Sequence, residues 1–96
     1  MKKAYLVTQY HEVRDPDKLA AYAALALPAL QAAGGTFIIR GMPTQAYEAG
    51  QINRTVVVEF PSLEAAEAAY HTDAYQEALA ALGDGATRDM RVVEGV

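Results

Sequence analysis

One stretch restricts the fold more than any other: Val56-Val57-Val58-Glu59-Phe60-Pro61-Ser62. Three β-branched residues followed by an aromatic read as a buried strand. Pro61 has no N–H to give to a ladder, so the strand ends there. Ser62 can then cap a helix, with Glu64 in the first turn facing the positive end of its dipole. The prediction is a central strand that stops abruptly and passes straight into a helix. Glu59 alone breaks its apolar pattern.

Before that strand, residues 3–10 form a first one. Tyr5, Val7 and Gln9 point one way, and Ala4, Leu6, Thr8 and Tyr10 the other. Apolar groups on both faces predict a strand covered on two sides. Asp15-Pro16 marks a helix start, with Asp15 as cap and Pro16 at the first helical position. Leu19, Tyr22, Ala23, Ala26 and Leu30 share helical spacing. Pro28 should kink this helix or end it near Leu27, with a further turn through Ala32. Gly34-Gly35 stops it. Thr36 to Arg40 is a second strand, which Gly41-Met42-Pro43 interrupts as a bulge or bend. Gln45 to Glu48 resumes it, Ala49-Gly50-Gln51 turns, and Ile52 to Phe60 returns as the third strand.

After Ser62, Leu63, Ala66 and Tyr70 share one helix face. Thr72 or Asp73 restarts a helix with Tyr75, Ala78, Leu79 and Leu82 inward, so two short segments are predicted. Gly83-Asp84-Gly85 ends them. Asp89 to Glu94 is the last strand, with Met90 and Val92 on one face. The order β-α-β-β-α-β is that of an α+β, ferredoxin-like domain: one antiparallel sheet with helices on one face. The helices leave the other face bare, yet that face, with Thr55, Val57 and Glu59 on the central strand and Tyr5 and Val7 beside them, is too apolar for open water. Two such sheets are therefore expected to pack face to face as a homodimer.

The 96 residues suit a single domain, residues 1–96, and a domain this small gains from pairing with a second copy. A net charge of −4 and scattered Lys and Arg argue against nucleic-acid binding. Lys2-Lys3 precedes an apolar run too short for a leader, and no run reaches membrane-spanning length, so no membrane partner is expected. The chain has no cysteine, which removes disulfides and thiolate metal sites and fits a cytoplasmic location.

The ordered set Asp15-Pro16, Tyr22, Pro28, Gly34-Gly35, Arg40-Gly41, Arg54, Glu59-Phe60-Pro61-Ser62, Tyr75-Gln76 and Val93-Glu94-Gly95-Val96 is similar to a widespread, mostly bacterial family. It is known only as a domain of unknown function (DUF1330), within the dimeric α+β barrel superfamily. The resemblance runs nearly end to end. It implies a ferredoxin-like fold and a barrel formed by dimerisation, and no established activity. Related barrels include cofactor-free monooxygenases, isomerases and haem-handling enzymes, but fold does not fix function. Two departures bear on any site. Met42 stands where many members have a second glycine, and Ala78 to Leu82 lacks an arginine that many members carry after the Tyr-Gln pair.

Arg40, Arg54 and Glu59 are the first site candidates. In a hairpin closed near Gly50, Arg40 and Glu59 oppose each other. Arg40 can grip an anion in bidentate fashion, and a buried Glu59 can act as a base. The same two residues also suit a structural ion pair that fixes strand register. His11, at the end of the first strand, is a candidate proton shuttle or an ordinary loop residue. Tyr22 and Tyr75 are core residues whose hydroxyls can reach a ligand at the rim. His71 suits a helix C-terminus. There is no Ser/His/Asp or Cys/His set, no phosphate loop and no metal spacing, so no cofactor or metal is expected. The expectation is acid–base or oxidative chemistry on a small carbonyl or phenolic compound. Glu59 and His11 would be catalytic, and Arg40, Arg54, Tyr22 and Tyr75 would touch the substrate. The alternative is a non-catalytic ligand-binding or assembly domain.

Overall fold

A computed structural model describes residues 2–96. Its elements run β1 (Ala4–Val13), α1 (Pro16–Ala32), β2 (Thr36–Gly41), β3 (Thr55–Phe60), α2 (Leu63–Tyr70), α3 (Asp73–Leu82) and β4 (Ala86–Glu94). The strands form one antiparallel sheet in the order β2-β3-β1-β4. This is the expected ferredoxin-like βαββαβ arrangement, with the second helix split in two.

Local chemistry sets each boundary. The Asp15 carboxylate accepts from the N–H groups of Asp17 and Lys18. Ser62 Oγ accepts from Ala65 and Thr72 Oγ1 from Tyr75. Each cap satisfies amides that the first helical turn leaves free. Gly34, at φ +99°, turns the chain out of α1. Gly35 then passes so close to the sheet that a Cβ there would stand 2.7 Å from Val58 Cγ1 and 2.8 Å from the Leu30 carbonyl oxygen.

Leu6, Tyr22, Leu30, Val58, Phe60, Tyr75 and Leu82 are buried between the sheet and the helices. Along β1 and β3 the burial alternates as the period-two pattern requires. Leu6, Thr8 and Tyr10 face inward, opposite Val92, Met90 and Arg88 of β4. Tyr5, Val7, Val57 and Glu59 face outward, with Val57 9% exposed and Ile39 and Val93 each half-exposed.

Several local expectations are corrected. Pro28 does not end α1 near Leu27, and the helix runs on to Ala32, the end expected for its further turn. Its ring lies on the exposed side, where the carbonyl it deprives of a donor meets water, while Ala26, Ala29 and Leu30 bury the other side. Gln45 to Glu48 is not a strand, and β3 begins at Thr55 rather than Ile52. The ladder between β2 and β3 stops at Gly41 opposite Thr55. Residues 42–54 form a loop, tightened where Gly50 N–H donates to the Tyr47 carbonyl, with Glu48 at φ +54°. The β2 bulge falls at Ile38, not at Gly41-Met42-Pro43. β1 and β4 each extend three residues beyond the predicted span. Among the described residues no helix is long and apolar enough to cross a membrane.

Candidate functional site

A cavity of about 60 Å³ lies between α1 and the inner face of the sheet. Leu6, Ala26, Leu30, Phe37, Val56 and Val58 give it apolar walls. Its polar lining is Thr8, Tyr10, Tyr22, Arg40, Arg54 and Arg88. Three arginines therefore line one cavity that, among the described residues, no carboxylate lines. The chain has two further arginines, Arg14 and Arg91, and each is paired: Arg14 with Glu12 and Arg91 with Asp89, both at 2.9 Å. Among the described residues, none of the three cavity arginines makes a salt bridge.

The sheet register brings them together. Arg88 faces inward because it is the cross-strand partner of Tyr10, in phase with Met90 and Val92. Arg40 owes its place to the bulge. Phe37 pairs with Val58 and Arg40 with Val56, three residues along β2 but two along β3. A regular strand would send two side chains three apart to opposite faces. The extra residue at Ile38 puts both on the inner face. Arg54 precedes β3, anchored where Tyr10 N–H donates to the Arg54 carbonyl at 2.9 Å.

Arg88 holds the deepest charge. Its guanidinium carbon lies 4.6 Å from the centre of the Tyr22 ring and 5.7 Å from that of Tyr10. Arg54 lies 6.0 Å from the same Tyr10 ring. Cation–π attraction offsets part of the cost of withdrawing these charges from water. Yet Arg88 Nη1 is buried and has no hydrogen-bond partner among the described residues. Burial works against the guanidinium charge, but the Tyr22, Tyr75 and Tyr10 phenols outweigh it and raise its pKa further above the usual arginine value. Arg88 is thus a permanent cation.

Behind it, the Tyr22 and Tyr75 hydroxyls share a hydrogen bond of 2.7 Å, with their rings edge to face. Burial raises the Tyr75 pKa, and the neighbouring Tyr22 adds to the rise. Burial likewise raises that of Tyr10. Both phenols stay protonated at neutral pH. On the far side of Arg88, an open groove takes in Glu67, Tyr70 and His71 and shares Leu6 and Met90 with the cavity.

The residues singled out from the sequence therefore divide. Arg40, Arg54 and Tyr22 line the cavity, and Tyr75 touches it through Tyr22. Glu59 does not oppose Arg40: it pairs with Thr36 on one side and Tyr5 on the other, on the outer face. Its carboxylate accepts from Lys3 Nζ at 3.2 Å. The expected Arg40–Glu59 floor does not form, because a hairpin closed near Gly50 misplaces the register. His11 also stands outside, in the bulge between Tyr10 and Glu12, half-exposed, its Nε2 4.0 Å from Asp89 Oδ2. Arg88 and Tyr10 carry much of the site and were not singled out. The available signal was the phase of β4: extended two residues back from Met90, its inward face reaches Arg88. Among the described residues, no cluster of three or more His, Asp or Glu side chains could hold a metal ion.

Solved structures of similar shape span nearly the whole chain. A protein of unknown function from Rhodopseudomonas palustris matches with a TM-score of 0.76 at 13% identity, covering 99% of this chain and 83% of its own. A cofactor-independent oxygenase from Streptomyces nogalater matches at 0.68 and 13% identity, covering 100% and 95%. A dimeric ferredoxin-like protein of unknown function from Thermobifida fusca matches at 0.61 and 18% identity, covering 98% and 92%. At such identities the likeness shows the fold alone. No curated protein matches the sequence. The family match is direct, taking in residues 3–96, and the chain belongs to the family described as a domain of unknown function (DUF1330).

Proposed function

We propose that the chain binds a small organic acid with an apolar body in the cavity beneath α1. We further propose that it acts on a carbonyl or phenolic compound there by stabilising negative charge on oxygen, without a cofactor. The observation that carries this is that Arg40, Arg54 and Arg88 line one cavity and, among the described residues, none of them makes a salt bridge and no carboxylate shares the lining. A guanidinium held away from water, as that of Arg88 is, stabilises an enolate or phenolate oxygen far better than a water-exposed cation does. Tyr10 and Tyr22 supply hydroxyls beside them. The similarly shaped oxygenase from Streptomyces nogalater is described as cofactor-independent, which fits the same kind of chemistry. The cysteine-free sequence fits a cytoplasmic setting.

A second reading, binding without turnover, is favoured by one observation. Neither Glu59 nor His11 lines the cavity, so the two expected bases stand away from any ligand held there. We also propose a homodimer packed through the outer sheet face.

The test is calorimetric titration of the full chain with acetate, propionate, butyrate and benzoate. Arg88→Met is expected to weaken binding about tenfold or more, as loss of a charged hydrogen bond does, with the oligomeric state unchanged. Failure of all four acids to bind would remove the proposal. If Arg88→Met binds as the parent does, Arg88 is not part of the site.

A further inference from the structure

The three arginines of the cavity are not equivalent. Arg88 is half-buried, with Nη1 fully enclosed, and stands at the inner end against Tyr22 and Tyr10. Arg40 and Arg54 are exposed and stand on the β2–β3 side, at the ends of the strand segments that lead into the 42–54 loop. Apolar side chains, among them Leu6, Val56 and Val58, line the space with them. A single carboxylate seated on Arg88 would leave two more guanidiniums at the same cavity without a counter-charge.

Resting on the reading of the cavity as an organic-acid site, we propose that its ligand is a small dianion. One acidic group meets the Arg88 guanidinium at the inner end of the cavity. An apolar stretch follows along the walls, and a second acidic group meets Arg40 and Arg54 at the mouth. The chemical class is a short dicarboxylate, or a carboxylate whose far end carries an acidic enol or phenol. The deep end suits a planar anion, because a guanidinium meets a carboxylate through paired, coplanar N–H groups. The mouth, being hydrated, tolerates variation in the second group.

The experiment compares succinate, glutarate and adipate, each with its own monomethyl ester, by calorimetric titration of the full chain at constant ionic strength. Each ester keeps the carbon skeleton and removes one charge. At least one diacid is expected to bind roughly 10- to 100-fold more tightly than its ester, the range that charged hydrogen bonds contribute. Arg40→Ala combined with Arg54→Ala is expected to erase that advantage, bringing the diacid down to the affinity of its ester. Arg88→Met, which keeps the apolar stem and the volume, is expected to abolish binding of both. Its fold is checked by its melting curve, with Arg88→Lys as the second variant should Met not fold. Equal affinity of every diacid and its ester would overturn the dianion and leave the organic-acid reading standing. Failure of all six compounds to bind overturns the dianion, and the simple monocarboxylates then decide the organic-acid reading separately.

Discussion

The Tyr22–Tyr75 hydroxyl pair shows how one residue can couple the core to the site. Tyr75 is fully buried, so its hydroxyl must find a partner inside the protein, and it finds Tyr22 at the cavity wall. Tyr75→Phe leaves the Tyr22 hydroxyl without its partner and is expected to cost about 1–3 kcal/mol at pH 7. The same substitution has an alkaline signature with a definite sign. Burial raises the folded-state pKa of Tyr75 above its ordinary value of 10.0. Stability from that shift is fully present below pH 10, where both states hold the proton. It is lost as pH climbs above 10, because the unfolded phenol ionises and the folded one does not. Each such proton contributes up to about 1.4 kcal/mol per pH unit. Tyr10 shifts in the same direction and adds its own share. Urea unfolding of the parent and of Tyr75→Phe between pH 8 and 11 is expected to show a shallower alkaline decline in the variant. Equal slopes would mean that Tyr75 ionises in the folded state as readily as in the unfolded chain.

At the scale of elements, the joint between α1 and β2 is closely packed. A Cβ on Gly35 would meet Val58 Cγ1, the Leu30 carbonyl and the edge of Phe60, all within 3.0 Å. Gly35→Ala is therefore expected to cost about 1–3 kcal/mol, the usual range for overpacking a core. Gly41→Ala, with nothing within 4 Å of its Cβ, should stay within about 0.5 kcal/mol. Denaturant melts of the two variants side by side check this, and equal losses would refute the close approach. Which elements could be read from sequence follows from how local their causes are. The caps at Asp15, Ser62 and Thr72 act within a few residues, and all three helix starts were legible. The β2 bulge was not, because Ile38 is no glycine: the extra residue is set by the need to turn both Phe37 and Arg40 inward, a tertiary demand. Glu59 was misread for the same reason. Its partner depends on a register that the loop 42–54 conceals, and the cavity arginines are far apart in sequence.

At the scale of the whole molecule, the shape is a slab of 35 × 33 × 15 Å with helices on one side only. Its accessible surface is 6024 Å², against roughly 5,400 Å² for a compact monomer of 10.3 kDa. The excess fits a sheet whose outer face lacks a cover. That face carries Val57, Tyr5 and Val7 at its centre, with Ile39 and Val93 half-exposed on flanking strands. A second copy laid against it would bury on the order of 1,200 Å² or more in total, enough for a stable dimer. Sedimentation of the parent is expected to give a dimer, and Ile39→Glu with Val93→Glu a monomer, because like charges would then be pressed together in an apolar contact. The cavity lies on the opposite side of the sheet and is lined by residues of a single chain. The monomeric variant should therefore keep its helical circular dichroism and bind carboxylates within a few-fold of the parent. A parent that sediments as a monomer would refute the paired sheets. A variant that loses binding on dissociation would show that the partner helps hold the arginines in place from across the sheet.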